Sequence, residues 1–242
     1  MKKPLLFYLL TALMLLAACK KEQPVVPASA GEPLVLHLLH FVDSVPLQQH
    51  ALMYENVAGN PYSVSKLNYL ISEITLEYED GSSRYLRGPW YIDPFDALPD
   101  TIQLPQNNDA GYPLQLSFHL GLDSALNQSG LWDVQEEIML MAWPEIMGGG
   151  YHFLKFEGQF LTGNSQLSGF AFHLGKSRHL VRHLPVTPSP AGSDSRYELR
   201  MQLNRWFGPP VIWDLNQQLT HTMHNDSAMQ MLAQNGQYVF NH

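Results

Sequence analysis

Lys66-Leu67-Asn68-Tyr69-Leu70-Ile71-Ser72-Glu73-Ile74-Thr75-Leu76-Glu77-Tyr78 carries an apolar alternation that changes phase partway along. Leu67, Tyr69 and Ile71 occupy odd positions, whereas Ile74, Leu76 and Tyr78 occupy even ones. Side chains of a strand alternate between faces. One face can stay buried only if the strand bulges, or bends between sheets, across Ser72-Glu73. Asp80-Gly81 then reads as a hairpin turn into a return strand over 84–87.

Working outward, Leu34, Leu36, Leu38 and His40 share one parity, and Val35, His37, Leu39 and Phe41 share the other. This predicts a first strand with His40 turned inward. Further strand candidates cover 114–120, 138–143, 151–160, 169–174 and 197–203. With 17 Gly and 17 Pro punctuating short strands, the expected fold class is all-β: a two-sheet antiparallel β-sandwich with a short C-terminal helix. The helix is expected over 227–234, with Asp226 as N-cap, Asn235-Gly236 as its stop, and Met229, Leu232 and Ala233 buried. Residues 124–131 are expected to hold one short turn.

The chain has 242 residues, 14 Lys+Arg against 22 Asp+Glu, and a formal net charge of −8. Only 15% of residues are charged, against about 25% in ordinary soluble proteins. At 45% hydrophobic it is not a disordered composition. The acidic balance argues against nucleic acid as partner, since that surface needs a basic stripe. A single Cys excludes an internal disulfide framework, a multi-Cys zinc site and an iron–sulfur cluster.

That Cys has a telling position. Lys2 and Lys3 precede an apolar run over 4–18, which ends in Leu16-Ala17-Ala18-Cys19. The run matches a signal-peptide core and is short for a membrane span. The pattern resembles a bacterial lipoprotein signal: cleavage before Cys19, whose thiol becomes the lipid anchor. Residues 1–18 are thus expected to be the signal peptide and 19–33, with Pro24, Pro27 and Pro33, a flexible tether. Residues 34–242 form the folded domain, and the expected location is the cell envelope, lipid-anchored and periplasm-facing or at the outer membrane.

No Gly-x-Ser-x-Gly elbow, His-Glu-x-x-His, Walker loop or dinucleotide fingerprint occurs. Gly148-Gly149-Gly150 leads into a strand, not a helix N-terminus, so it is no phosphate cradle. The chain is expected not to be an enzyme; a hydrolase with a non-motif site using His and Asp is a weaker reading, with no visible nucleophile. There are 11 His. His37 and His40 point to opposite faces of one strand. His179 and His183, four apart, are roughly 13 Å apart if extended. His221 and His224 precede the helix in a loop. Met139, Met141 and Trp143 would share one strand face, with Met147 in the next loop; core packing explains them, and a soft copper environment is the sharper reading.

An ordered set of segments resembles the MbnP-like family of secreted or lipid-anchored copper-binding proteins. It runs through Leu36-His37-Leu38-Leu39-His40-Phe41-Val42, Tyr54-Glu55-Asn56-Val57-Ala58-Gly59 and Ser63 to Ser72. It continues at Gly121-Leu122-Asp123-Ser124, at Met139-Leu140-Met141-Ala142-Trp143 leading to Gly150-Tyr151-His152-Phe153, and at Gly169-Phe170-Ala171-Phe172-His173-Leu174-Gly175. The resemblance implies a β-rich fold and an extracytoplasmic copper site. It implies His40 and His173 as ligands, with Trp143 or its kynurenine-type oxidation product completing the set. It also implies a partner di-haem enzyme of the cytochrome c peroxidase and MauG type as the oxidant. Two departures stand out: the longer link over 144–149, and Met141 where the family often has an aromatic residue. The rival expectation is a metal-free binding module that holds a protein or glycan through Trp90, Trp206 and Trp213.

Overall fold

The computed structural model describes residues 34–97, 100–105, 113–187, 189–190 and 196–240. The expected signal peptide, Cys19 and the tether lie outside the described residues. Thirteen strands occur there: β1 (Leu34–Val42), β2 (Val45–Pro46), β3 (Tyr54–Glu55), β4 (Pro61–Tyr78), β5 (Ser83–Leu86), β6 (Trp90–Ile92), β7 (Thr101–Leu104), β8 (Pro113–Leu120), β9 (His152–Leu161), β10 (Leu167–Gly175), β11 (Val181–Val186), β12 (Ser189–Pro190) and β13 (Arg196–Gln202). Two short α-helices accompany them, α1 (Glu136–Met139) and α2 (Asp226–Gly236). No helix among the described residues is long and apolar enough to cross a membrane.

The strands form two sheets. One is ordered β12-β13-β1-β2, with β7 also on β1; the other is β10-β9-β4-β8-β11, with β3, β5 and β6 on β4. All pairings are antiparallel except β1 with β13, which run parallel from Val35↔Arg196 to Phe41↔Gln202. A parallel pair needs a crossover connection, and here everything between β1 and β13, including the whole of the second sheet, supplies it.

The phase change in β4 is a bulge. Its pairing with β8 shifts between Ser72 and Thr75, and Glu73 takes a φ of 52°. Leu67, Tyr69 and Ile71 before it, and Ile74, Leu76 and Tyr78 after it, are all buried. Gly81, at φ 80°, turns the chain into β5. β1 alternates from buried Leu34 to buried Val42, with His40 on the buried parity. The interior is rich in aromatic rings; Phe156, Phe170, Phe172 and Phe207 meet edge-to-face or tilted at 5.2–6.1 Å.

Residues 138–143 are not a strand. Gln135-Glu136-Glu137-Ile138-Met139 are helix formers with two acids in the first turn, which suits a helix N-terminus, and they make α1. The chain then turns, and Ala142 makes an isolated bridge to Tyr151. Met139 is consequently exposed while Met141 and Trp143 are buried, so the three share no strand face. α2 is one residue off the expected cap: Asn225, not Asp226, accepts the Ala228 N–H at 2.8 Å. Met229, Leu232 and Ala233 are buried as its pattern requires.

Candidate metal centre

β10 sorts its side chains by parity. Phe170, Phe172 and Leu174 are buried in the core; Ala171 and His173 face the other way. Across the sheet, Leu174 pairs with Leu154 and Leu154 with Tyr69, whereas His173 pairs with Lys155 and Lys155 with Asn68. Paired residues share a face. His173 therefore stands on the outer face of this sheet, with Lys155, Glu157 and Lys66.

His152 joins it there through an irregularity. In an unbroken strand His152 would share the inward parity of Leu154 and Phe156. The register instead shifts between Leu174 and Gly175, so that His152 lies opposite Gly175. One extra residue reverses parity, and His152 meets His173 edge-on with ring centroids 5.0 Å apart. Trp143 completes the group, its ring centroid 4.5 Å from that of His152. Its indole lies over Gly175, where a Cβ would come within 2.7 Å of the ring.

The segment that carries Trp143 is tied down by polar contacts. Trp143 N–H donates to the Gly150 carbonyl at 2.8 Å, and Tyr151 and Gly150 N–H donate to Asn127 Oδ1 and Ser129 Oγ at 2.8 and 2.7 Å. Lys155 Nζ donates to the Leu140 carbonyl at 2.6 Å. The longer link over 144–149 is a short 3-10 turn at Glu145–Met147 followed by three glycines with positive φ, and it still delivers Trp143 onto β10.

Hydrogen bonds fix both tautomers. His152 Nδ1 lies 3.1 Å from the Met141 carbonyl, which only accepts, so Nδ1 carries the proton. His173 Nε2 lies 3.0 Å from Glu157 Oε1, and that carboxyl is held below its ordinary range, chiefly by this hydrogen bond. In the uncharged form of each ring the lone pair is then on His152 Nε2 and His173 Nδ1. Both atoms are buried without a hydrogen-bond partner, and so is Trp143 Nε1. A buried polar atom left unpaired costs about 1–3 kcal/mol, and three in one ring cluster signal a site built for something else. Burial, helped by Lys155 and His173, brings the His152 pKa down to about 3, so this ring is a neutral donor at physiological pH.

His40 is not part of this cluster. Its Nε2 lies 2.8 Å from Tyr69 Oη, and Tyr69 is on the inward face, the opposite side of the sheet from His173. Burial lowers the His40 pKa to about 3, and its Nδ1 faces Asp100 Oδ2 at 3.7 Å. The structure thus brings His173 and Trp143 together and leaves His40 between the sheets. His37 is half-buried on β1, and His221 and His224 are exposed. His179 approaches Asp226 at 3.4 Å; the side chain of His183 lies outside the described residues. Trp206 and Trp213 are fully buried, so they are core anchors and no exposed platform; Trp90 is half-buried. Among the described residues no three His, Cys, Asp or Glu side chains are arranged to hold a metal ion. The cluster is two imidazoles and an indole.

The MbnP family model matches residues 31–230. In fold, the chain is similar to MbnP from Methylosinus trichosporium, with a TM-score of 0.55 and 13% identity over 79% of this chain and 83% of that one. No curated protein sequence matches. The match of the family model over most of the chain, on the fold described above, shows that this chain belongs to the MbnP family.

Proposed function

We propose that the protein is a copper-binding protein of the cell envelope, anchored through a lipid on Cys19, and not an enzyme. The observation that carries this reading is the pair of fixed tautomers, which leaves His152 Nε2 and His173 Nδ1 buried and unpaired beside Trp143. Neutral imidazole suits copper, and soft surroundings favour the monovalent ion. An indole N–H has no lone pair to offer. Oxidation of Trp143 to a kynurenine-type product would expose an aryl amine and a ketone as further donors. The partner would be a di-haem enzyme of the cytochrome c peroxidase and MauG type, which supplies the oxidising equivalents. Glu157 and the Met141 carbonyl hold the two rings, the usual second layer of a histidine metal site.

The test is copper content of the protein from its native host by elemental mass spectrometry, with Cu(I) competition titrations of variants. His152→Asn and His173→Asn should each abolish tight binding, while His40→Asn leaves it within a few-fold. If His40→Asn abolishes binding and His152→Asn does not, the pairing of His40 with His173 expected from sequence replaces this one. No copper in the native protein, and none retained after loading, refutes both.

A further inference from the structure

The three unpaired atoms of the ring cluster, His152 Nε2, His173 Nδ1 and Trp143 Nε1, are shut off from solvent. An ion cannot reach donors that water does not touch unless one wall of the site moves. Two walls enclose them. Beneath lie β9 and β10. β9 is paired over 154–160 with β10 on one side and with β4 on the other, so this wall opens only when the sheet unfolds. Above lies the stretch 140–147, which carries Trp143.

This upper wall is held far less firmly. Its outside is bare: Leu140, Ala142, Pro144, Glu145 and Ile146 are exposed, while Met141 and Trp143 are buried beneath them. Few bonds tie its backbone down. The Met141 carbonyl accepts the His152 N–H at 2.6 Å and faces His152 Nδ1 at 3.1 Å. Trp143 N–H donates to the Gly150 carbonyl at 2.8 Å, and Lys155 Nζ donates to the Leu140 carbonyl at 2.6 Å.

A hinge follows directly. Gly148, Gly149 and Gly150 have φ of 106°, 65° and 82°, a region that glycine enters without a steric cost. Beyond them the chain is pinned again, Gly150 N–H on Ser129 Oγ and Tyr151 N–H on Asn127 Oδ1. Rotation is therefore concentrated in the glycines, between a fixed strand and a loosely held flap. Lys155 stands on the fixed side, on the same face of the sheet as His173, and reaches the flap with an ionised donor, the stronger kind of hydrogen bond.

We propose that residues 140–147 form a strap that swings on Gly148–Gly150 to admit or release the ion, with Lys155 as the latch that holds it shut. The proposal rests on the copper reading for its cargo, whereas the motion itself belongs to the metal-free protein.

The first measurement is hydrogen exchange by NMR on the metal-free full chain. Trp143 and His152 N–H, both bonded across the strap, should exchange at least about 100-fold faster than the best protected amides of β9. Lys155→Met keeps the stem and removes the donor. It should raise exchange at those two amides about tenfold and leave the rest of β9 unmoved. Lys155→Arg keeps an ionised donor and should restore part of the protection. The second measurement is Cu(I) transfer to and from bathocuproine disulfonate. A latch sets how often the site opens, so Lys155→Met should speed uptake and release alike, about tenfold, with Kd within about threefold. A merely structural role would speed release alone and weaken binding. Exchange of Trp143 and His152 at the rate of the β9 interior, or uptake no faster in Lys155→Met, overturns the strap. If the wild type binds no Cu(I), the copper reading falls and the exchange data decide alone: local opening upholds the strap, and its absence overturns it. Should Lys155→Met fail to fold, exchange in the wild type carries the decision in the same way.

Discussion

The indole of Trp143 rests on the bare backbone of Gly175, in the space that a Cβ would take. His173 is two residues back on the same face of β10, so one glycine sets the distance between the indole and the imidazole pair. Gly175→Ala should push the ring off this seat, because a methyl 2.7 Å from ring carbons cannot be accommodated without movement. Overpacking of this kind costs about 1–3 kcal/mol. Urea denaturation should show that loss, and the indole NMR signal of Trp143 should shift. A variant with wild-type stability and an unmoved signal would show that Gly175 does not seat the ring.

Glu157 is held by His173 at 3.0 Å and by Lys66 at 3.6 Å. Its role is to keep the proton on Nε2 and so keep Nδ1 open. Glu157→Ala should lower Cu(I) affinity about 10- to 100-fold, with the fold intact by circular dichroism. Glu157→Gln retains an acceptor oxygen and should recover part of the loss. If alanine and glutamine variants bind as tightly as the wild type, Glu157 has no part in orienting the ligand.

These two residues also show what sequence alone could reveal. The bulge in β4 is legible because its apolar pattern changes phase at Ser72-Glu73, and nothing but an extra residue keeps both halves buried. The bulge in β9 is invisible for the converse reason. Tyr151, His152, Phe153 and Leu154 are all of core-compatible type and all buried, so no phase is there to break. Parity then assigns His152 to the interior with Leu154, and its place beside His173 emerges only from the register. The segment 138–143 misleads differently: Met139, Met141 and Trp143 imitate strand alternation, while Glu136 and Glu137 just before them start a helix. The parallel β1–β13 pair joins strands more than 150 residues apart in the chain, and no local pattern encodes such a partner.

The metal-free protein should lose stability on acidification, and the sign follows from groups that oppose one another. His40 and His152 have folded pKa values near 3, both lowered first by burial. Their contribution is complete above the unfolded value of about 6.5 and is lost as pH falls towards 3. Asp100 works the other way. Burial, then the neighbouring Asp93 and Asp96, raises it to about 7, against the restoring Asp93 N–H bond. Its contribution is complete below the unfolded value of about 3.9 and is lost as pH rises through 7. Between about pH 4 and 6.5 two histidines outweigh one aspartate, a net slope on the order of 1 kcal/mol per pH unit. Urea midpoints at pH 7.5 and 5.0 check this. Asp100→Asn, which removes the opposing slope, should steepen the acid loss; a flat profile in both proteins contradicts the assignment.

The start of α2 separates a hydrogen bond from a surface charge. Asn225 accepts the Ala228 N–H at 2.8 Å and satisfies one of the open donors of the first turn. Its neighbour Asp226 gathers Arg178, Lys176 and His179 around an exposed carboxylate, whose pKa they lower, Arg178 most of all. Asn225→Ala should cost about 1 kcal/mol, and the loss should be the same at low and high salt, because a capping hydrogen bond is short-ranged. Asp226→Asn removes screened attractions between groups in solvent. Its effect should be less than that of Asn225→Ala even in low salt, where it is largest, and should vanish by about 0.5 M NaCl, where the screening length falls to a few ångströms. Denaturation midpoints of both variants at the two salt concentrations decide between them. A salt-dependent loss for Asn225→Ala, or a salt-independent one for Asp226→Asn, would place the cap on Asp226, as the residue order alone suggests.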